Sequence, residues 1–155
     1  MDRNLLQFKM AENNLKMLKI KCRKGIFSEI SFQNVIKWKH YSLNELEWMK
    51  DFLEDKNQQI ASHCLECLAV HGADLNDFKD IIKKRIKDNI YANKVIELAE
   101  KQNKPKILLL FMDEENNYIN RVILALKRTG NESYMTTLML SDNEMLLKSI
   151  DRLTK

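Results

Sequence analysis

The fold prediction starts from residues 113–130, which read DEENNYINRVILALKRTG. An acidic turn opens this segment, apolar residues recur with the helical period, and Gly130 closes it as a left-handed helix end would. Residues 55–72, DKNQQIASHCLECLAVHG, repeat the plan 58 positions earlier and end at Gly72. The apolar positions coincide at this offset: Ile60, Ala61, Cys64, Leu65, Cys67 and Leu68 fall on Tyr118, Ile119, Val122, Ile123, Ala125 and Leu126.

A repeated unit of about half that offset should lie between the two segments, and another should follow. Both are present in the sequence. The intervening unit matches at Ala92, Val95, Ile96, Leu98 and Ala99, and the following one at Leu146, Ser149, Ile150 and Leu153. Stacked helical hairpins that bury their apolar faces against each other produce such a pattern.

The composition favours helices throughout. Three glycines and one proline in 155 residues are too few for the turns of a β-sandwich or barrel. Ser42 with Glu45, and Ser141 with Glu144, form candidate capping boxes, and Pro105 suits a first helical turn. The predicted helices lie near 3–22, 28–39, 43–54, 57–71, 75–87, 89–102, 105–113, 116–129, 132–140 and 142–153.

Residues 113–131 resemble a short HEAT-like (armadillo-type) repeat in their acidic turn, their Ala125-Leu126 pair and their closing Gly-Asn. Residues 61–74 resemble it more loosely, and the resemblance spans about 43–153. It implies an all-α, right-handed α-solenoid (α-α superhelix) of about four hairpins in a single domain, 1–155, with a helical cap over 1–42 and repeats over 43–155. The arginine that the family usually carries after its β-branched residue is replaced by Ser62, Asn93, Asn120 and Leu147, so no basic ladder is expected there.

The N-terminal region holds most of the positive charge. The net charge is +4, and residues 1–50 carry ten basic and five acidic side chains. Such a skew indicates either an anion-binding arm or a solvated helix face. Purely basic stretches occur at 16–24 and 83–87, where phosphate contact is conceivable. Helix 3–22 is amphipathic, and we expect its apolar face, Leu5, Leu6, Met10, Leu15, Leu18 and Ile20, to be buried. Trp38 and Tyr41, near the first basic stretch, are candidates for stacking on bases. The interpretation that we favour places Trp38 and Trp48 in the core of the cap.

The sequence predicts a cytoplasmic protein. No secretory signal is visible in residues 1–10, and the longest apolar run, Ile107–Met112, is too short to span a bilayer. An odd number of cysteines, three, fits a compartment that keeps thiols reduced. We expect no membrane association and a monomer.

The strongest candidate for a metal site is His63-Cys64-x-x-Cys67-x-x-x-His71. Cys64, Cys67 and His71 share one helix face, and thiolate and imidazole are good zinc ligands. The repeat register instead places Cys64 and Cys67 at core positions, where free cysteine acts as a small hydrophobe. We therefore predict no metal and no cofactor. Because no nucleotide-binding or catalytic motif is present, we also predict that the chain is not an enzyme.

The repeat register aligns charged residues on one outward face of successive helices. In a HEAT-like solenoid these helices line the concave side, where partners dock. The predicted partner-binding residues are His63, Glu66, Lys94, Glu97, Lys101, Arg121, Leu124, Arg128 and Lys148. The competing interpretation is ordinary ion pairing along helix surfaces.

These observations favour a non-enzymatic protein-interaction module, either an adaptor or an inhibitor of the immunity-protein kind, that binds a partner protein through its concave face. The alternative is a nucleic-acid-binding protein related to HEAT-like DNA alkylation-repair glycosylases. The alternating signs on the predicted face and the near-neutral charge of residues 51–155 count against that alternative, because a nucleic-acid groove needs continuous positive charge.

Overall fold

The computed structural model describes residues 3–112 and 118–134. Within these ranges all regular structure is helical and no strand occurs, which confirms the predicted all-α class. The chain divides between Ala73 and Asp74 into two compact units.

The first unit is built on three α-helices and one 3-10 helix. These are α1 (Arg3–Arg23), α2 (Glu29–Lys37), the 3-10 helix Glu47–Phe52 and α3 (Gln58–Val70). Helix α2 packs against both α1 and α3, and the 3-10 helix packs against α3. Tyr41 lies in the loop between α2 and the 3-10 helix. Its hydroxyl donates a hydrogen bond of 2.5 Å to the carbonyl oxygen of Ala11 and so connects this loop to α1. Burial and the nearby Glu45 carboxylate raise the pKa of Tyr41 to about 12.

The second unit alternates short and long helices. A 3-10 turn, Leu75–Phe78, leads into α4 (Lys79–Lys84), and α5 (Asn89–Gln102) follows. Helix α6 (Pro105–Leu108) continues as the 3-10 turn Leu109–Phe111, and α7 is Ile119–Arg128. Helix α6 packs against α5, α7 and the turn Leu75–Phe78, while α5 also contacts α7.

Most predicted helix positions are confirmed, but 75–87 and 105–113 each divide into an α-helix and a 3-10 helix, and 43–54 differs in kind. The predictions for 3–22, 57–71 and 89–102 agree within one residue with α1, α3 and α5. The predicted capping box forms, since the Ser42 amide donates to Glu45 Oε1 at 3.0 Å and the Glu45 amide donates to Ser42 Oγ at 3.2 Å. The segment after it is a 3-10 helix rather than the full helix 43–54, a tighter winding that suits buried Leu46 and Met49 three residues apart.

The two C-terminal predicted helices cannot be compared in the same way. The range 142–153 with its Ser141/Glu144 capping box lies outside the described residues, as does 132–140 beyond Tyr134. The matches proposed at Leu146, Ser149, Ile150 and Leu153 lie outside them as well.

Helices α3, α5 and α7 end in the same way. Gly72 and Gly130 adopt positive φ angles of 108° and 72°, as predicted, and Asn103 takes the equivalent place after α5 with φ 56°. In each case the next amide closes the turn onto the carbonyl five residues back: Ala73 to Leu68 at 2.9 Å, Lys104 to Ala99 at 2.8 Å and Asn131 to Leu126 at 2.8 Å. Helix α1, which lies outside the predicted repeat, closes with the same turn at Gly25, where the Ile26 amide bonds to the Lys21 carbonyl oxygen at 2.9 Å.

The core positions of the repeat are also confirmed. Six positions are buried in each of the three helices. Two of them are adjacent and lie near the start of the helix, and the other four follow the first of that pair by four, five, seven and eight residues. They are Ile60, Ala61, Cys64, Leu65, Cys67 and Leu68 in α3; Tyr91, Ala92, Val95, Ile96, Leu98 and Ala99 in α5; and Tyr118, Ile119, Val122, Ile123, Ala125 and Leu126 at α7.

The prediction for the apolar face of α1 is wrong. Of the six residues expected in the core, Leu18 is buried, Leu15 is half-buried, and Leu5, Leu6, Met10 and Ile20 are exposed. The helix instead packs through three residues, Ala11, Leu18 and Cys22, and this narrow buried side leaves its other apolar residues exposed. Trp38 and Trp48, also expected in the core, are only half-buried.

Candidate partner-binding surface

Six of the nine predicted partner-binding residues lie on described helices of the second unit. Helix α5 carries Lys94, Glu97 and Lys101, and the adjacent α7 carries Arg121, Leu124 and Arg128. We call these six residues the α5–α7 face. His63 and Glu66 lie on α3 in the first unit, and Lys148 lies outside the described residues.

Glu97 occupies the electrostatic centre of the α5–α7 face. Its Oε1 lies 3.1 Å from Lys101 Nζ, and its Oε2 lies 3.7 Å from Lys94 Nζ. Partial burial alone would raise the pKa of Glu97, but the Lys101 hydrogen bond and the charges of Lys94, Lys101 and Arg121 together lower it. The carboxylate is therefore held ionised among three cations.

A ladder of polar contacts joins α7 to α5. Tyr118 Oη donates to Asn89 Oδ1 at 2.7 Å, and Arg121 Nη1 donates to Asn93 Oδ1. Arg128 Nη1 lies 3.6 Å from Glu100 Oε1, and Asn131 Nδ2 donates to Asn103 Oδ1 at 2.5 Å. These contacts link α7 to α5 at four places, and each of the two arginines takes part in one of them.

Sequence reasoning missed this ladder because its partners are mostly amides. We expected none from a repeat that has Asn93 and Asn120 where the family has arginine. In the structure Arg121, one residue after Asn120, donates a hydrogen bond to Asn93 of α5. The usable signal was the spacing, since all four pairs lie 28 or 29 residues apart, close to the repeat length.

The apolar member of the α5–α7 face is Leu124, which is 37% exposed. It follows Arg121 by three residues and precedes Arg128 by four, so the three side chains share the outward side of α7. All three are exposed. An apolar spot flanked by oriented charges resembles, on a small scale, the apolar centre and polar rim of a protein interface.

Two of the three equivalent positions on α3, His63 and Glu66, are covered, whereas the third, Val70, is exposed. Glu66 is 8% exposed, so the expectation that it points outward is wrong. The His63 ring is largely buried, with Nε2 3.1 Å from Glu29 Oε2 and Nδ1 2.7 Å from the Gln59 carbonyl oxygen. Helix α3 packs against both α2 and the 3-10 helix Glu47–Phe52, which accounts for the burial of these two side chains.

The candidate metal motif forms part of the core. Cys64 and Cys67 are wholly buried, as the repeat register predicted. A hydrogen bond with Cys22 and burial raise the pKa of Cys64, and burial raises that of Cys67, so both thiols are neutral. The two ring nitrogens of His71 lie 2.7 Å from the carbonyl oxygens of Cys67 and Trp38. Across residues 3–112 and 118–134, no three His, Cys, Asp or Glu side chains form a group that could hold a metal ion.

Several side chains in the two basic stretches make contacts within their own units. Lys21 Nζ lies 3.0 Å from Ser31 Oγ, and Lys19 Nζ lies 5.8 Å from the centre of the Trp48 ring. In the second stretch Arg85 binds Asp88 at 2.8 Å. Part of this charge therefore stabilises the helices that carry it.

Comparison with protein-family models, with curated proteins and with solved structures finds no match to this chain. Among the helices of the described ranges, none combines the length and the apolar character needed to cross a bilayer.

Proposed function

We propose that this chain is a non-enzymatic protein-interaction module and that the α5–α7 face binds a partner protein. The observation that carries the proposal is the exposed Leu124 beside charges that the protein itself holds in place. Side chains ordered before binding lose little conformational entropy when a partner docks, so such a surface is prepared for association.

The charges of this face favour an acidic partner segment. Its exposed charged side chains, Lys101, Arg121 and Arg128, are all basic, whereas Glu97 and Glu100 are half-buried. The exposed cations would speed the encounter with an acidic surface and disfavour a basic one. An adaptor and an inhibitor of the immunity-protein kind would both use a surface of this type.

For the architecture we propose a right-handed, HEAT-like solenoid of about four hairpins behind an N-terminal cap. Two observations support it: the shared buried positions of α3, α5 and α7, and the packing of α6 against its neighbours on both sides in sequence. We further propose a cytoplasmic monomer, consistent with three buried thiols that form no disulfide.

The test is a charge reversal with a matched control. The partner is identified by affinity capture and mass spectrometry, purified, and titrated by calorimetry against the wild-type chain, Arg121→Glu/Arg128→Glu and Lys79→Glu/Lys83→Glu. The control makes the same charge change at exposed lysines of α4. We expect the arginine variant to bind about tenfold or more weakly and the control within about twofold of wild type.

Equal affinity of the arginine variant and the wild-type chain would contradict the assignment of this face. Circular dichroism should show the same helical content for all three chains. The nucleic-acid alternative is examined with duplex and single-stranded DNA, for which affinity must fall steeply with salt. If the wild-type chain binds DNA in this way and Arg121→Glu/Arg128→Glu does not, the ligand of this face is DNA and not a partner protein.

A further inference from the structure

Helix α1 exposes a row of large apolar side chains. Leu6, Met10, Met17 and Ile20 are each between 45% and 57% exposed. Their spacings of four, seven and three residues place them on one side of the helix, and Asn13 fills the gap in the middle. We call these five residues the α1 stripe. The alternation of three- and four-residue steps is the pattern by which one helix packs along another.

Basic residues flank the stripe. Lys9, Lys16 and Arg23 recur every seven residues along one edge and are exposed. Residues 3–23 contain six basic side chains and a single acidic one, Glu12, which lies 3.6 Å from Lys16 Nζ. The stripe is therefore an apolar surface with a positive border.

A cavity of about 230 Å³ opens beside Met10 between α1 and the end of α2. Its walls include Met10 and Asn14 from α1, Asn34 and Lys37 from α2, and the indole of Trp38. The volume suits an apolar side chain, and Lys37 adds a further cation to the wall. The surface next to the stripe is thus concave and has a place for an anchoring residue.

We propose that the α1 stripe binds an amphipathic helix of a partner protein whose apolar face is bordered by Asp and Glu. The helix would lie along α1 and insert one apolar side chain beside Trp38. Acidic flanks would meet Lys9, Lys16 and Arg23, as e and g residues do between paired helices. This surface lies in the first unit and does not depend on the α5–α7 face.

Charge and polarity favour this occupant over two others. Pairing of two copies through the stripe would bring rows of lysine and arginine together, which is repulsive. Insertion into a lipid surface would place the Asn13 amide among hydrocarbon without a partner, whereas a facing helix can hydrogen-bond to it. The cavity beside Trp38 likewise suits a protruding side chain better than a flat surface.

The probe is a designed peptide of about three heptads with leucine at the a and d positions and glutamate at e and g. Its self-repulsion keeps it monomeric. A matched peptide carries lysine in place of glutamate. Binding is measured by anisotropy of a labelled peptide, and independently by tryptophan emission in a Trp48→Phe chain, in which Trp38 reports on the cavity. We expect the acidic peptide to bind and to shift the Trp38 emission, and the basic peptide to do neither.

Two variants locate the binding on the chain. Met10→Gln/Met17→Gln should weaken the acidic peptide about tenfold or more, whereas Val70→Gln/Ile90→Gln, which changes exposed apolar residues elsewhere, should stay within about twofold of wild type. Because these residues are exposed, both variants should fold, as circular dichroism checks.

Four results would overturn the proposal. They are absence of binding by the acidic peptide, equal binding of the two peptides, binding that Arg121→Glu/Arg128→Glu abolishes while the methionine variant retains it, and stripe-dependent association with phosphatidylserine vesicles or with a second copy of the chain in place of the peptide. A loss at α1 alone leaves the α5–α7 proposal intact, so the two can fail separately.

Discussion

Helices α3 and α5 have the same buried positions and the same closing turn, yet they present different surfaces. On α3 Glu66 is buried and His63 is largely enclosed, whereas on α5 Glu97, at the position equivalent to Glu66, takes part in a partly exposed ion-pair network. The elements packed around α3 account for the difference. A repeat pattern thus specifies the inner side of each helix, while its neighbours decide what remains available to a partner.

The largest expected effect tests the shared inner side. Leu65→Ala in α3 and Ile96→Ala in α5 each remove most of a side chain that is wholly buried at the same repeat position. We expect each to lower the free energy of unfolding by about 2–5 kcal/mol, since a cavity is added to the lost burial. Urea denaturation followed by circular dichroism measures this.

Leu124→Ala serves as the control for these core variants. The same kind of truncation at an outward position of α7 should change the unfolding free energy by about 0.5 kcal/mol or less. A core variant no more costly than Leu124→Ala would show that the repeat register does not describe the packing of that helix.

The next effect concerns the last turn, where His71 of α3 corresponds to Thr129 of α7. The His71 ring lies between the carbonyl oxygens of Cys67 and Trp38 and can donate to the Trp38 oxygen, which lies outside α3, whereas the Thr129 hydroxyl donates within its own turn, to Ala125 at 2.8 Å. The Cys67 oxygen also accepts the backbone amide of position 71, so His71→Ala leaves only the Trp38 carbonyl without its partner. We expect this to cost about 1–3 kcal/mol, and Thr129→Ala about 1 kcal/mol or less.

Both histidine and threonine variants are compared by urea denaturation under identical conditions. Equal costs would mean that the contact from His71 to Trp38 contributes nothing beyond a local helix-end bond. In that case the contact with Trp38 would not stabilise the end of α3.

The sequence predicted the inner side of these helices well because burial imposes a strict period. Cys64 and Val122 differ chemically but fill the same place, and the spacing alone identified them. The outer contacts escaped prediction because they depend on which elements lie alongside. Nothing local to Glu66 shows that it is covered, and nothing local to Asn93 shows that Arg121 bonds to it.

Helix α1 shows the same limit from the other side. Its apolar residues are numerous enough to suggest a buried face, yet the side of the helix that is buried is narrow and consists of Ala11, Leu18 and Cys22. Apolar residues predict a need for contact, not the partner that supplies it. In α5 and α7 that partner lies within the same unit, whereas for the exposed residues of α1 we assign it to another protein.

The smallest expected effect is a pH dependence at Glu97 of α5. Because the surrounding cations lower the pKa of Glu97 in the folded chain, the unfolded chain takes up this proton first as the pH falls. The stabilisation should be complete above the usual pKa of 4.5 and disappear as the pH drops through the lowered value. Glu97→Gln should therefore be less stable than wild type by about 1 kcal/mol or less at pH 7. Urea denaturation at pH 7 and at successively lower pH should show this gap closing, and a gap that is constant with pH would mean that the cations do not stabilise the carboxylate.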